Sequence, residues 1–332
     1  MLDSAALQVA VNPEVGGTIT SIRHKPTNLS VLGEVPWANV DAPLPALAAR
    51  DEQEWLTRYS GGWPLLFPNA GDACTVEGVH LGFHGEASIA PWAAEFEDGA
   101  LVLTRTFSSI AATMRRTIAA EGEVLSIHEE LVYSGREPAV AMWGHHPTFG
   151  SDLLAAPFEV TCGARNVAAE AQYDPDSSPI ACGAGGAWPF LPAKHGGSIG
   201  LSKPRSPWSS VAYLTDFHDP WAAIRRLDDA IAVLVSWDGR RFPCAWLWYE
   251  LEATQEAPWN GSTRLVGIEP NTTPCALGLA ESLSRHAPVL RLDPGMSLDT
   301  WIELRAFRPS GSILNGMNVI PSENTTVNVR PS

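Results

Sequence analysis

The segment Trp143-Gly144-His145-His146-Pro147-Thr148-Phe149-Gly150 places two imidazoles side by side between bulky and turn-forming residues. Imidazole titrates near neutrality, so such a group can give or take a proton at physiological pH. Two other stretches answer to this one: Gly82-Phe83-His84-Gly85-Glu86 upstream and Gly267-Ile268-Glu269-Pro270-Asn271-Thr272 downstream. Histidines with a carboxylate supply the partners of general acid–base chemistry. A lone histidine is more often a hydrogen-bonded structural group than a catalyst. Three such stretches in one chain favour a site.

These residues need rigid supports, and the sequence offers strands. Residues 124–133 alternate apolar and polar, 139–142 are apolar, and Pro147 then removes a ladder donor, so the histidine pair falls at a strand end. Alternation sends His145 and His146 to opposite faces. Further alternating runs at 100–107, 114–118 and 157–162 are punctuated by Asp98-Gly99, Glu121-Gly122 and Ser134-Gly135, the hairpin spacing of sandwiches and barrels. The first thirty residues predict a strand, a glycine turn at Gly16-Gly17 and a second strand. A helix is expected over 46–56. Residues 163–210, rich in Gly, Pro, Ala and Ser, predict a long irregular excursion without phosphate-loop character. Strands are expected again at 211–215, 221–226, 231–237, 244–251, 289–292 and 298–307. The pattern predicts one all-β domain over 1–308, a large antiparallel β-sandwich, followed by a polar surface tail over 309–332.

Composition narrows the function classes. The 332 residues carry a net charge of −15 with no basic run, which argues against nucleic acid and anionic membrane as partners. Five cysteines, Cys74, Cys162, Cys182, Cys244 and Cys275, lie scattered without CxxC spacing, giving neither a disulfide framework nor a zinc signature. The opening Met1-Leu2-Asp3-Ser4 lacks a signal-peptide pattern, and no apolar run reaches the roughly 20 residues of a membrane span. A cytoplasmic protein is the expectation. Thirteen tryptophans suit either a large core or the C–H faces of a sugar ring.

Taken in order, several segments resemble the aldose 1-epimerase (galactose mutarotase-like) superfamily. Pro13-Glu14-Val15-Gly16-Gly17-Thr18-Ile19 is similar to its opening hairpin, and Gly62-Trp63-Pro64-Leu65-Leu66-Phe67-Pro68-Asn69 to its LFPN loop. Phe83-His84-Gly85, Gly144-His145-His146-Pro147-Thr148-Phe149, Ile268-Glu269-Pro270-Asn271-Thr272 and Leu292-Asp293-Pro294-Gly295-Met296-Ser297 follow in the family's order. The resemblance spans nearly the whole chain and implies a β-supersandwich with the site in a cleft. It implies His146 as general acid, Glu269 as general base and His84 as a substrate-binding residue, with Asn69, Asp72, His145 and Trp63 as further substrate-binding candidates. It implies a small-molecule sugar as partner, with no metal and no organic cofactor.

Two departures bear on the substrate. Ala70 stands where the family carries an arginine that contacts sugar hydroxyls, and Thr148 stands where it carries an aromatic residue. Arg115, Arg116, Arg225, Arg226, Arg240, Arg241 and Arg264 are candidates to replace that arginine, and Asp216 and Asp219 to supply an acidic sugar contact. A substrate other than plain galactose or glucose is expected. Three functional classes stay open on sequence alone: an epimerase, a non-catalytic sugar-binding protein of the same fold, and a metal enzyme with His84, His145, His146 and Glu269 as ligands. The oligomeric state is also open.

Overall fold

Alternation decides the architecture. In Ala112–Glu121 and Val124–Tyr133 almost every second side chain is buried, and the two strands pair antiparallel across a tight turn. They belong to a 14-stranded sheet in the computed structural model, which describes residues 1–39 and 49–309. The sheet's main path runs in space from Leu65–Leu66 through Gly144–His145, Arg264–Asn271, Cys244–Leu251, Trp208–Arg226, Ala232–Trp237, Ser297–Phe307, Val124–Tyr133, Ala112–Glu121 and Ala100–Thr106 to Ala93–Glu97. Leu103, Met114 and Leu125 from one end share a buried cluster with Leu247, Val266 and Ile268 from the other. The sheet therefore closes face to face on itself as a β-sandwich. A four-stranded sheet from the first thirty residues adds Leu7, Val9, Ile19 and Ile22 to the same core. Within it Trp143 and Trp237 are completely buried, and truncating either to alanine would cost about 3–5 kcal/mol.

Several local expectations are corrected. Among the described residues the expected helix is confined to Glu52–Leu56: Asp51 accepts a hydrogen bond from the Glu54 amide at 2.9 Å and caps it. Residues 46–48 of the expected helix lie outside the described residues, as do 310–332 of the expected tail. The strand expected at 157–162 continues to Ala169, with short strands at Gly185–Ala187, Phe190–Pro192 and Ser198–Gly200 inside the supposed excursion. Residues 208–226 form one strand of 19 residues where two were expected. A register shift opposite Cys162 and Ala164 lets the pairing bridge the Asp219-Pro220 interruption. The helix Gly278–Ser284 carries no signal that the alternation pattern picked up. All five cysteines are free. Among the described residues no helix is long and apolar enough to cross a membrane.

Candidate active site

The site grows from three neighbouring strands that are buried on both faces. In Cys244–Leu251 the side chains of Ala245, Leu247, Tyr249 and Leu251 enter the main core, so Trp246, Trp248 and Glu250 face the other way. In Arg264–Asn271, Val266 and Ile268 enter the core, which turns Gly267 and Glu269 to that same opposite face. The register pairs Trp246 with Glu269 and Trp248 with Gly267. The next strand adds Val211, which is opposite Trp248. These residues, Gly267 excepted, line a cavity of about 560 Å³. The helix Glu52–Leu56 and its sequel wall it with Trp55 and Tyr59, and the loops at 71–72, 83–84, 256–259 and 276–277 complete it.

His146, Glu269 and His84 meet in this cavity. His146 Nε2 lies 3.7 Å from Glu269 Oε1, and the His84 and His146 rings are 5.2 Å apart. Glu269 is 2% exposed and, among the described residues, receives no hydrogen bond. Burial pushes its carboxyl well above the usual range. Burial drives His146 the other way, down to about 4. These opposite shifts favour one proton on the pair, held by the carboxyl. Gly267 makes the room: a Cβ there would sit 2.2 Å from Glu269 Oε1.

Each imidazole is held from behind. His146 Nδ1 is 2.9 Å from Thr148 Oγ1, which in turn is 2.7 Å from the Tyr59 hydroxyl, so Nε2 is the nitrogen turned to Glu269. His84 Nδ1 accepts the Gly71 amide at 2.9 Å while the His84 amide donates to Gly71 O. That fixes the His84 tautomer with its proton on Nε2, available to a ligand. Burial first, and the His146 charge second, lower the His84 pKa well below its ordinary value. Gly71 has φ +83°, and a Cβ would meet Ala276 O at 1.8 Å, so no other residue fits this bond.

Three of the expected substrate contacts are not brought to the cavity. His145 points away from His146, as alternation predicts, with Nε2 3.1 Å from Glu129 and Nδ1 accepting from Trp63 Nε1 at 3.1 Å. Trp63 is completely buried and spent on that bond. Asn69 is also completely buried: its amide donates to Asp72 O and Gly82 O, and its oxygen accepts from the Leu279 amide. These side chains support the wall and do not form it. Asp72 does line the cavity. Glu129, the partner of His145, also receives Arg116 at 2.7 Å and Trp143 Nε1 at 3.1 Å. Burial alone would raise Glu129, but the facing His145 and Arg116 outweigh it and hold the carboxyl down to about 2.

The remaining candidates also lie elsewhere. Asp216 pairs with Arg165 and Asp219 with His218 at exposed positions. None of Arg115, Arg116, Arg225, Arg226, Arg240, Arg241 or Arg264 lines the cavity. Ala70 is buried in a small apolar cluster with Leu66 and Met142. Because His145 is engaged by Glu129, the ligand set His84, His145, His146 and Glu269 does not converge. Among the described residues no group of three His, Cys, Asp or Glu side chains is placed to hold a metal ion. Sequence reading missed Glu52, Glu170, Tyr173 and Glu250 as lining residues. They come from segments without a motif, and Glu250 alone had a signal, its position two residues beyond Trp248 on a strand with an apolar opposite face.

No family model matches the chain, and no curated protein does. Solved structures match along nearly its whole length. A galactose mutarotase related enzyme from Lactobacillus acidophilus is 18% identical, with 92% of this chain and 96% of that one covered at a TM-score of 0.63. A galactose mutarotase-like protein from Lactobacillus casei is 14% identical, with 92% and 99% covered and a TM-score of 0.61. A protein provisionally named an aldose 1-epimerase, from Escherichia coli K12, is 14% identical, with 93% and 98% covered and a TM-score of 0.63. At these identities the likeness is one of fold, and the chain has the β-sandwich fold of the galactose mutarotase-like proteins.

Proposed function

We propose that this protein interconverts the α and β anomers of an aldose by acid–base ring opening and reclosure. The observation that carries the reading is the buried imidazole–carboxyl pair, His146 and Glu269, 3.7 Å apart in a cavity with aromatic walls. Glu269 takes the proton of the anomeric hydroxyl while His146 Nε2 gives one to the ring oxygen, and the C1–O5 bond breaks. Rotation about C1–C2 presents the other carbonyl face, and reclosure returns both protons. The pair needs one proton in total, which is what burial leaves on it. A sugar hydroxyl donating to Glu269 favours its ionised form and so moves that proton to His146. His84 Nε2–H serves as a fixed donor to a substrate oxygen, and Trp55, Trp248 and Trp259 offer flat faces to the ring.

Anomer exchange measured by NMR or polarimetry tests the proposal, with His146→Asn and Glu269→Gln as controls. The second reading, a sugar-binding protein without turnover, draws on Ala70 and on the lack of any lysine or arginine lining the cavity among the described residues. Binding of aldoses without faster exchange would select it.

A further inference from the structure

We infer that this cavity accepts aldoses whose substituents are neutral or positively charged, amino sugars above all, and rejects phosphorylated and carboxylated ones. The inference rests on the reading of the cavity as an aldose site. Six carboxyl groups line it, those of Glu52, Asp72, Glu170, Glu250, Glu256 and Glu269, and among the described residues no lysine or arginine does. Residues 40–48 contain no basic residue either, and of residues 310–332 only Arg330 is basic.

The carboxyl groups are unevenly compensated. Glu170 receives Arg285 at 3.0 Å and the Tyr213 hydroxyl. Glu250 accepts the amides of Ala253 and Thr254 and the Thr254 hydroxyl. Among the described residues the side chains of Glu52, Asp72 and Glu256 meet neither an ion pair nor a donor. Glu269 lines the cavity 3.7 Å from His146 Nε2, and its side chain receives no hydrogen bond among the described residues. Six of the seven arginines that might have served an anion are engaged elsewhere: Arg115 with Glu97, Arg116 with Glu129, Arg225 with Asp229, Arg226 with Asp228, Arg240 with Asp238 and Arg264 with Glu252; the seventh, Arg241, does not line the cavity. Glu52 and Asp72 are exposed residues of the lining, yet both carboxyls are raised, by desolvation first and then by the negative charge of Asp72 and Asp51 on Glu52 and of Glu170 on Asp72. A phosphate would add charge of the same sign beside these carboxylates, with no donor fork among the described residues to receive it. An ammonium would find acceptors in Glu52, Asp72 and Glu256, which have no donor among the described residues, and the Trp248 and Trp259 faces attract cations as well.

The test compares galactose and glucose with their 2-amino, 2-acetamido, 6-phosphate and uronate derivatives at pH 6.5, scoring the exchange rate above that of buffer alone. The amino sugars are expected to exceed the parent sugars severalfold in kcat/KM, and the phosphates and uronates to fall about tenfold or more below them. The gap should narrow in 0.5 M salt and in Glu52→Gln with Asp72→Asn, since it arises from charge. The same panel is bound to the His146→Asn protein and ranked by saturation-transfer NMR. If no sugar exchanges faster yet binding ranks amine above neutral above anion, the substrate class stands and the epimerase reading falls. A phosphate or uronate that binds or turns over as well as its parent overturns the inference. Absence of binding by every aldose overturns both.

Discussion

His145 and His146 each lie against a buried glutamate, yet the two pairs are built differently. Glu129, beside His145, also receives Arg116 and Trp143, and its carboxyl is held down to about 2. Glu269, beside His146, receives no hydrogen bond among the described residues, and burial pushes its carboxyl up. Both carboxylates are 2% exposed or less, so burial does not separate them. Compensation does. A buried carboxylate surrounded by donors is fixed as a permanent anion and becomes structure. One left without donors, next to a cavity, keeps a proton that can move. A single peptide bond separates the inert imidazole from the available one, because a strand sends its neighbours to opposite faces.

The sharpest way to break this comparison is to exchange the histidines' roles by mutation. His146→Asn should lower anomer exchange by about 10²–10⁴-fold, while His145→Asn should keep kcat and lose stability, as read by NMR exchange and by urea titration. Equal loss of kcat in both variants would erase the distinction. Next in size, Arg116→Met takes the guanidinium from buried Glu129, leaving it only His145 and Trp143, and should destabilise the fold by about 3–5 kcal/mol. A denaturation midpoint unchanged from the parent protein would show that Glu129 needs no compensation.

The two carboxylates should also respond oppositely to pH. Glu129 has a depressed pKa, so its stabilising contribution is present above about 4.5 and is lost as pH falls toward about 2. Glu269 has a raised pKa, so the folded state binds more protons than the unfolded one above about 4.5, and stability is lost as pH rises toward its folded value. Glu269→Gln should therefore gain stability relative to the parent protein as pH rises, with a slope of up to about 1.4 kcal/mol per pH unit. Urea titrations of both proteins from pH 5 to 8 would measure it, and parallel curves would contradict it. The smallest effect is expected at Thr148→Val, which removes the hydroxyl between Tyr59 and His146 Nδ1 and should cost about 0.5–1.5 kcal/mol in stability. Its exchange rate should fall less than that of His146→Asn; a loss as large would give the hydroxyl a part in proton transfer.

The strands and the trio His84, His146 and Glu269 were legible because both rest on local pattern: alternation for the one, short motifs for the other. The support residues were misplaced for the same reason. Trp63, Asn69 and His145 lie in the motif stretches, and a motif does not separate a side chain that forms a wall from one that braces it. The acidic lining at Glu52, Glu170 and Glu250 had no motif because its unity is three-dimensional, assembled from a helix, a strand end and a central strand. The long strand through Asp219-Pro220 escaped because a bulge in the strand itself, between Phe217 and Ala222 and opposite Cys162 to Ala164, absorbs a break that the local sequence signals correctly.

Asn69 sets the order in which the cavity can be completed. Its side-chain oxygen waits for the Leu279 amide, 210 positions further along, while its amide nitrogen ties together the loops that carry Asp72 and His84. During synthesis the wall around His84 is present long before its last fastener emerges. Closing so distant a contact comes late in folding, after the entropy of a very long loop has been overcome. A growing chain would thus hold every residue of the LFPN loop, His84 and His146 without a competent pocket. Completion of this cavity waits for the closing of the fold, not for the arrival of His84 and His146.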